Sequence, residues 1–467
     1  MKNYGLYTDY YEITMSQAFF LSGKGTDQTS FDYFYRTNPY GGGYLVFAGL
    51  SDAIEMIKDF RFSSEDLQFL TNQGLDSRFI DYLKDFKFRG NIYAMREGEI
   101  AFPRVPIVRV EGNIIECQLI ETLLLNILNY ESLIATKTFR IVQAAKGRDI
   151  IDFGLRRAHG TGAVQASKAA MIGGAVATSN VYAARKYNLK VSGTMAHSWV
   201  QSFLDEYEAF RTFAEIHPDN CILLVDTYNT LESGVPNAIK LADELKDKGI
   251  KVKGIRLDSG DLSYLSRKAR QMLDEAGYPD IIITASNQLN EYVINSLLEQ
   301  DAKIDAFGVG TEMITGKPDA SLDGVYKLSE CNGIPRMKIS ENIEKVTLPG
   351  AKKVVRYFDD HGQFFRDAIV KSSEDVTAIT EISHPSVDYK KTPVKGLKYE
   401  ELQKLIMKDG EVVSPLPSTQ EAYEYLQERS KQLADEHYRF ISPHIYKVGL
   451  SAALKQERDD FLNRLSS

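Results

Sequence analysis

The sequence predicts an α/β protein built around an irregular (β/α) barrel, with a β-rich second domain and a helical C-terminal extension. From residue 148 onward, short apolar or β-branched runs alternate with helical stretches, which is typical of a parallel sheet. Strand-like runs dominate near the N-terminus and return after the alternating region. We therefore expect a β-rich domain over 1–112 plus about 328–383, a barrel with its joining helix over 113–327, and an extension over 384–467.

The elements outside the barrel follow from apolar runs and turn residues. Strands are predicted at YLVFAGL (44–50), NIYAM (91–95) and PIVRVEG (106–112). Residues 113–147 have Leu and Ile at spacings of three and four, which predicts a core helix that joins the two domains. KDGE (408–411) predicts a hairpin turn, and the last part of the chain has helical composition.

The barrel strands are predicted from six short runs. They are DIIDF (149–153), LKVSGT (189–194), CILLVD (221–226), KVKGIRLD (251–258), DIIITA (280–285) and KIDAFGV (303–309). The first long helical stretch between them is expected over 165–186. No GxGxxG follows a strand and no GxxxxGK[ST] occurs, whereas polar clusters follow nearly every strand. Because the carboxyl ends of barrel strands share one face, we favour a barrel over an open doubly wound sheet.

Composition excludes several classes of protein. The 467 residues are 43% hydrophobic and 26% charged, which excludes dominant disorder. A net charge of −8 argues against a nucleic-acid partner. The three cysteines, Cys117, Cys221 and Cys331, lack zinc or disulfide-scaffold spacing, so a cytoplasmic location is expected. No apolar run of about 18 residues occurs, and the N-terminus lacks signal-peptide features, so no membrane partner is expected.

GIRLDSGDL (254–262) is the most specific motif. Arg256 and Asp258 alternate along a strand and should therefore share one side of it. An arginine fork can hold a carboxylate or a phosphate through two hydrogen bonds. Asp258 and Asp261 can hold ribose hydroxyls or Mg²⁺, which prefers oxygen ligands. An Arg–Asp pair that only closes a loop is the alternative, and spacing does not separate the two interpretations.

Two further strand ends carry candidate residues. His197 in GTMAHSW (193–199) can act as a general base, a nucleophile or a phosphate acceptor, and a buried structural histidine is the alternative. In DFGLRR (152–157), Phe153 offers a stacking surface and Arg156 an anion anchor, although a phenylalanine is more often a core residue.

A phosphate site is predicted at the last barrel strands. FGVGTE (307–312) is a short glycine loop, and barrels often bind phosphate through backbone N–H groups after their seventh and eighth strands. SNQ (286–288), one strand earlier, can share that phosphate.

Eight motifs in series resemble a known family. They are TDYYEITMSQA, FYRTNPYGGG, DFGLRRAHG, GTMAHSW, VDTYNT, GIRLDSGDL, ITASN and FGVGTE. Together they are similar to nicotinate phosphoribosyltransferase of the longer bacterial type, over about residues 5–365. The resemblance implies a homodimer with shared active sites. It also implies the joining of nicotinate to 5-phosphoribosyl 1-diphosphate, with ATP as co-substrate and Mg²⁺ as cofactor, at the entry step of NAD salvage.

The resemblance also implies roles for individual residues. His197 matches the histidine that ATP phosphorylates, and Asp258 matches a catalytic position near the ribose. The residues implied around nicotinate are the partner subunit's Tyr11 together with Phe153, Thr194, Ser198 and Arg256. The residues implied around the ribose and the phosphates are Arg36, Arg156, Ser286, Asn287, Gly310, Thr311 and Lys338.

Ser179 bears on specificity within the resemblance. The related nicotinamide enzyme has an aspartate at this place, and a carboxylate there would repel nicotinate, so Ser179 favours the acid. Three alternatives remain: a nicotinamide or quinolinate phosphoribosyltransferase, a lyase or aldolase with Lys327 as Schiff base, and a non-catalytic ligand-binding barrel. The presence of His197 and of the DSGD carboxylates argues against the last.

Overall fold

The structure is a computed structural model that describes residues 3–339, 346–387 and 389–466. The chain divides into two compact units. We call Met1–Thr136 with Ser321–Ser467 the terminal unit, and Lys137–Ala320 the barrel unit.

The elements are numbered in chain order. Residues 3–136 contain strands β1 (Gln28–Tyr35), β2 (Leu45–Val46), β3 (Asn91–Ala94), β4 (Ile100–Ala101) and β5 (Val108–Asn113). Their helices are α1 (Tyr10–Leu21), α2 (Leu50–Lys58), α3 (Ser64–Asn72), α4 (Ser77–Lys84), α5 (Ile114–Leu119) and α6 (Glu121–Ala145), which continues past residue 136.

Residues 137–320 alternate between strands and helices. The strands are β6 (Asp149–Asp152), β7 (Ala177–Thr178), β8 (Ile222–Leu224), β9 (Gly254–Leu257), β10 (Ile282–Ser286) and β11 (Ala306–Val309). The helices are α7 (Gly162–Ile172), α8 (Val181–Tyr187), α9 (His197–Gln201), α10 (Glu206–Ile216), α11 (Val235–Lys246), α12 (Leu262–Glu275), α13 (Glu291–Glu299) and α14 (Thr311–Ile314).

The remaining part of the chain is rich in strands and ends in helices. The strands are β12 (Gly324–Cys331), β13 (Ile334–Pro335), β14 (Lys352–Phe358), β15 (Phe364–Lys371), β16 (Glu381–Ser383), β17 (Lys391–Pro393), β18 (Tyr399–Glu401), β19 (Lys404–Lys408), β20 (Glu411–Val412) and β21 (Val448–Leu450). The helices are α15 (Thr419–Ser430) and α16 (Ala452–Ser466).

The terminal unit is built on two large sheets. One has the order β13-β12-β1-β5-β3-β19-β20, and the other has the order β17-β16-β21-β15-β14-β18. β1 pairs antiparallel with both β5 and β12, which brings chain segments almost 300 residues apart into one sheet. Tyr33 and Tyr35 on β1 are fully buried, so this central strand is covered on the face that they share. A smaller two-stranded sheet joins β2 to β4.

The barrel unit contains one six-stranded parallel sheet in the order β7-β6-β11-β10-β9-β8. It curls into an irregular half-barrel, and Val191 adds a single parallel bridge to Thr178 beyond β7. Leu223, Ile255 and Ile283 are fully buried in its core. Strands covered on both faces need apolar residues throughout, which explains why these runs do not alternate with polar residues.

The predicted fold class is confirmed, with an irregular parallel barrel, a β-rich second domain and helices at the C-terminus. Five of the six predicted barrel runs contain a strand, and the KDGE turn joins β19 to β20. Two expectations were wrong. LKVSGT (189–194) forms only the bridge at Val191. The expected helix over 165–186 is divided by Gly173, Gly174 and β7, because Gly174 adopts a φ of +104° that ends α7.

Within the described residues, no helix is both long enough and apolar enough to cross a lipid bilayer.

Candidate active site

The candidate active site lies at the carboxyl-terminal edge of the parallel sheet in the barrel unit. Asp226 follows β8, Asp258 follows β9 and Ser286 ends β10. His197 begins α9, shortly after the bridge at Val191. Parallel strands end at the same edge of a sheet, so their polar followers converge there, and the distances below confirm that they do.

His197 is held between a hydroxyl and two carboxylates. Its Nδ1 lies 3.1 Å from Thr227 Oγ1. Its Nε2 lies 3.8 Å from Asp258 Oδ2 and 4.0 Å from Asp226 Oδ1. The carboxylates favour a proton on Nε2, which leaves the lone pair on Nδ1. The side chain is 38% exposed, so a ligand can reach the ring.

Asp226 is a site residue to which the sequence reasoning gave no role. Its side chain is 1% exposed, and Oδ2 accepts hydrogen bonds from the Asp258 N–H at 2.9 Å and the Ser259 hydroxyl at 2.6 Å. Its Oδ1 has no hydrogen-bond partner among the described residues, although it faces His197. A buried oxygen without a donor is costly, and such costs are typical of functional sites. The available signal was its position at the end of CILLVD.

Arg256 is anchored but retains an unused donor. Its guanidinium donates to Met195 O at 2.7 Å and to Ser286 Oγ at 3.3 Å. Ser286 in turn donates a short hydrogen bond to Asp258, whose Oδ1 lies 3.8 Å from Arg256 Nη1. Arg256 Nε has no acceptor within the described part of the chain. Burial lowers the pKa of Arg256, and the neighbouring aspartates oppose that shift. The group stays cationic because an arginine side chain keeps its proton in proteins.

Phe153 lies beside this guanidinium, with 5.9 Å between its ring centroid and Arg256 Cζ. Its backbone N–H donates to Val309 O at 2.8 Å. A Cβ at Gly308 would come within 2.3 Å of Phe153 Cε2, so only glycine leaves room for the ring. Gly308, the first glycine of FGVGTE, was not among the predicted site residues.

A buried carboxylate fixes the turn that carries Phe153. Asp152 accepts hydrogen bonds from the Gly154 N–H at 2.8 Å, from Ser167 Oγ at 2.8 Å and from Thr178 Oγ1 at 2.7 Å. Burial raises the pKa of Asp152, and these three donors oppose the shift. The network ties β6, α7 and β7 together, which holds the aromatic ring in one place.

The predicted phosphate loops have unusual backbone conformations. Asn287 and Gln288 follow β10 with φ values of +87° and +45°, in the left-handed region that non-glycine residues rarely adopt. Gly310 follows β11 and precedes Thr311, the first residue of α14. Strained backbone of this kind is typical of ligand-binding turns, where the surrounding structure compensates its cost.

Three other predicted site residues lie in the barrel unit. The Thr194 hydroxyl donates to Met195 O at 3.3 Å. Ser198 is exposed on α9, and Arg156 is exposed in the turn after β6. Their roles toward ligands stay predictions.

Asp261 has a structural task in addition to its predicted one. It is the residue before α12, and its carboxylate accepts a hydrogen bond from the Tyr264 N–H at 3.0 Å, as helix-capping aspartates do. Its role as a Mg²⁺ ligand stays a prediction. Within the described residues, no group of three or more His, Cys, Asp or Glu side chains could hold a metal ion.

The other predicted site residues, Tyr11, Arg36 and Lys338, belong to the terminal unit. Tyr11 is 47% exposed on α1, and burial together with the carboxylates of Glu121 and Glu12 raises the pKa of its phenol. Arg36 Nη1 lies 3.1 Å from Asp323 Oδ1, and Lys338 is exposed.

Lys327 joins Arg36 and Lys338 in one basic group of the terminal unit. Burial lowers the pKa of Lys327, and the positive charges of Arg36 and Lys338 act in the same direction, while Glu121 opposes them. Lys327 Nζ lies 4.0 Å from Glu121 Oε1. Three cations that share one region favour binding of an anion there.

Comparisons with known proteins identify the family. The sequence model of the nicotinate phosphoribosyltransferase (NAPRTase) family matches residues 149–374. The models of the NAPRTase N-terminal and C-terminal domains match residues 6–129 and 351–458.

Individual proteins agree with this match. Nicotinate phosphoribosyltransferase of Bacillus subtilis is 43% identical, covering 96% of this chain and 92% of its own, and that of Dictyostelium discoideum is 35% identical, covering 96% and 86%. The crystal structure of human nicotinic acid phosphoribosyltransferase is 29% identical, covers 97% of this chain and 99% of its own, and superposes with a TM-score of 0.88. The chain therefore belongs to the nicotinate phosphoribosyltransferase family.

Proposed function

We propose that this protein transfers the 5-phosphoribosyl group of 5-phosphoribosyl 1-diphosphate to nicotinate, giving nicotinate mononucleotide and diphosphate. The single observation that carries this proposal is the placement of Arg256 beside Phe153. A flat ring that bears a carboxylate fits this pair, because the ring can stack on Phe153 while Arg256 Nε, which lacks an acceptor in the described structure, donates to the carboxylate.

The transfer needs no side chain that removes a proton. The pyridine nitrogen of nicotinate attacks C1 of the ribose, and the bond from C1 to the diphosphate oxygen breaks with its electron pair on the diphosphate. Positive charge develops on the ribose in the transition state. Asp258 stabilises that charge and accepts a hydrogen bond from a ribose hydroxyl, while the loops at Asn287 and Gly310 hold the 5-phosphate. Catalysis then comes from positioning and electrostatics.

In this proposal, ATP phosphorylates His197. Nδ1 attacks the γ-phosphorus of ATP, the bond to the ADP oxygen breaks, and the proton stays on Nε2. The carboxylates of Asp226 and Asp258 stabilise the resulting positive imidazole, and Asp226 Oδ1 has the free lone pairs to do so. ATP hydrolysis can drive the transfer only if the phosphorylated and free forms bind substrates and products with different affinity.

Asp226 and Asp258 also fit a Mg²⁺ ion. This cation keeps several waters and needs only one or two protein carboxylates when phosphates supply the other oxygens. The Oδ1 atom of Asp226, which is buried and has no hydrogen-bond donor among the described residues, is such an oxygen. Bound Mg²⁺ would neutralise charge on the leaving diphosphate. These two carboxylates would hold it, and Asp261, which also caps α12, stays a predicted ligand.

The working form in this proposal is a cytoplasmic homodimer that acts in NAD salvage. The partner subunit's Tyr11 covers the second face of the nicotinate ring, opposite Phe153. Arg36, Arg156 and Lys338 bind phosphate groups. The exposure of Tyr11 and the basic group around Lys327 support these roles.

A product assay tests the proposal. Purified protein is incubated with 5-phosphoribosyl 1-diphosphate and Mg²⁺, with nicotinate or nicotinamide, and with or without ATP. We expect nicotinate mononucleotide from nicotinate, faster with ATP, and little product from nicotinamide. The variant Ser179→Asp should use nicotinate less well, because it adds a carboxylate, whereas Ser179→Ala serves as its matched control. Equal use of both substrates by the wild type would contradict the assignment.

A further inference from the structure

The terminal unit contains a large cavity whose lining, apart from Lys327 of the basic group described above, the proposed reaction does not use. Its volume is about 980 Å³, and its walls include Asp32 on β1, Leu328 on β12, Ile369 on β15, Leu450 on β21 and Leu462 on α16. Small-molecule sites in proteins have volumes of about 300–1,000 Å³, so this cavity has room for a complete ligand.

The cavity is basic in a protein that is acidic. Among its described lining residues, five are lysine or arginine and two are aspartate, whereas the whole chain has a net charge of −8. Lys352 Nζ lies 2.7 Å from Asp32 Oδ2, Arg458 lies 2.7 Å from Asp459, and Lys327 Nζ lies 4.0 Å from Glu121 Oε1.

Two of these cations remain uncompensated. Arg104 and Lys447 line the cavity as exposed side chains, and neither has a carboxylate within ion-pair distance in the part of the chain that the structure describes. Their charges favour an anion in the cavity. Arg104 also has a φ of +65°, a conformation in which glycine would be free of strain.

The cavity also offers a ligand aromatic surface and a hydrogen-bond acceptor. Phe34 lines the cavity with aromatic surface, whereas the Tyr446 ring in the lining is 7% exposed and already stacks on Phe102. Asp32 Oδ1 is buried without a hydrogen-bond donor among the described residues, although Oδ2 of the same carboxylate binds Lys352. A buried acceptor of this kind favours a ligand hydroxyl or amino group.

His384 supplies a donor in the same lining. Its Nδ1 accepts a hydrogen bond from the Ser386 N–H at 3.1 Å, so the proton of the neutral ring lies on Nε2. Burial, together with the nearby charges of Lys390 and Lys447, lowers the pKa of His384, which keeps this ring neutral at pH 7.

We propose that this cavity binds a nucleotide, with its phosphate at Arg104 and Lys447, its base against Phe34, and a sugar hydroxyl or base amino group donating to Asp32 Oδ1. A nucleotide combines an anion, a flat ring and hydrogen-bond donors, which are the three features that the cavity complements. The proposal does not depend on the reaction proposed above.

Titration calorimetry of the full chain with AMP, adenosine and inorganic phosphate tests it. We expect AMP to bind, and adenosine and phosphate to bind at least about tenfold more weakly, because each lacks one of the recognised groups. Lys447→Glu, which reverses a lining charge, should weaken AMP binding at least about tenfold. Asn463→Trp, which fills the space at α16, should do the same.

Two variants serve as controls. Lys395→Glu changes an exposed lysine of the terminal unit outside the cavity and should bind AMP like the wild type. Arg256→Lys alters the barrel unit and should also retain AMP binding. The proposal is overturned if the wild type does not bind AMP, if phosphate alone binds as tightly, or if Lys447→Glu binds as the wild type does. Loss of binding in Arg256→Lys alone would also overturn it. If Asn463→Trp fails to fold, as judged by circular dichroism, Lys447→Glu decides the outcome.

Discussion

Two arginines, one in each unit, have opposite environments. Arg356 on β14 is fully buried in the terminal unit, where Nε and Nη2 donate to the two oxygens of Asp367 at 2.8 Å. Its Nη1 donates to Glu99 Oε1 at 2.6 Å, and Nη2 also reaches Ile100 O at 2.8 Å. Arg256 in the barrel unit has only a carbonyl and a hydroxyl as close acceptors, and its Nε is unused within the described residues.

The two sites show how the same residue types serve stability in one place and chemistry in the other. Burial disfavours the charge of Arg356, but Asp367 and Glu99 outweigh it and raise the pKa of Arg356 well above its ordinary value. The carboxylates of Asp367 and Glu99 use their hydrogen-bonding capacity within the protein. Around Arg256 the aspartates are close but incompletely paired, and burial lowers its pKa. Unused hydrogen-bonding capacity is what a ligand can exploit.

The largest effect is expected from removing the buried cation. Arg356→Met would leave Asp367 and Glu99 buried without their main partner, which should cost about 3–5 kcal/mol of the free energy of unfolding. Urea denaturation measures this cost as a lower midpoint. The exposed Lys395→Met should stay within about 0.5 kcal/mol of the wild type. Equal midpoints for both variants would remove the distinction between the two arginines.

The second prediction concerns His197. His197→Ala should abolish ATP hydrolysis and its coupling, and leave slow ATP-independent formation of nicotinate mononucleotide, because the transfer itself needs no histidine. The fold should persist, since the side chain is 38% exposed. Product and ADP are measured together. His217→Ala, an exposed histidine of the same unit, should behave as the wild type. Full ATP-stimulated turnover in His197→Ala would show that another group accepts the phosphoryl group.

The third prediction tests the free donor of Arg256. Arg256→Lys keeps the charge but loses the planar fork, so KM for nicotinate should rise by about 10- to 100-fold, as expected for lost hydrogen bonds to a charged group. The value of kcat should change less, because the carboxylate is bound in both the ground state and the transition state. Steady-state kinetics separate the two parameters. Arg185→Lys on α8 is the matched control, and an unchanged KM in Arg256→Lys would place the carboxylate elsewhere.

The smallest effect is a pH dependence of stability in the terminal unit. Burial raises the pKa of Glu12 to about 7 from 4.5, although the Thr122 and Thr8 hydroxyls oppose the shift. As the pH rises, the Glu12 carboxyl loses its proton at a lower pH in the unfolded chain than in the folded protein. The free energy of unfolding should therefore fall by about 1–3 kcal/mol between about pH 4.5 and pH 7. Glu12→Gln should remove that slope in urea titrations at several pH values. The exposed Glu428→Gln should retain it, and identical slopes in both variants would refute the assignment.

Much of the fold was predictable because local composition reflects burial. The apolar runs before Asp226, Asp258 and Gly310 each contain a strand of the parallel sheet, although each strand is shorter than its run. The helix expected over 165–186 was wrong because the short strand β7 depends on pairing with β6, which no local periodicity reveals. LKVSGT has strand composition but gains only one bridge, since its extent depends on a partner at the barrel edge.

In the candidate site, the residue types near the strand ends could be read from the sequence: His197, Arg256, Asp258 and the glycine loop at Gly310. Pattern and strand polarity suffice for that, since both are local properties of the chain. The sharing of their hydrogen bonds depends on the fold. It left Asp226 Oδ1 and Arg256 Nε without partners among the described residues, and it gave Asp261 a helix to cap. The partners that complete the hydrogen bonds of a buried polar group come from distant segments of the chain, and spacing along the sequence carries no information about them.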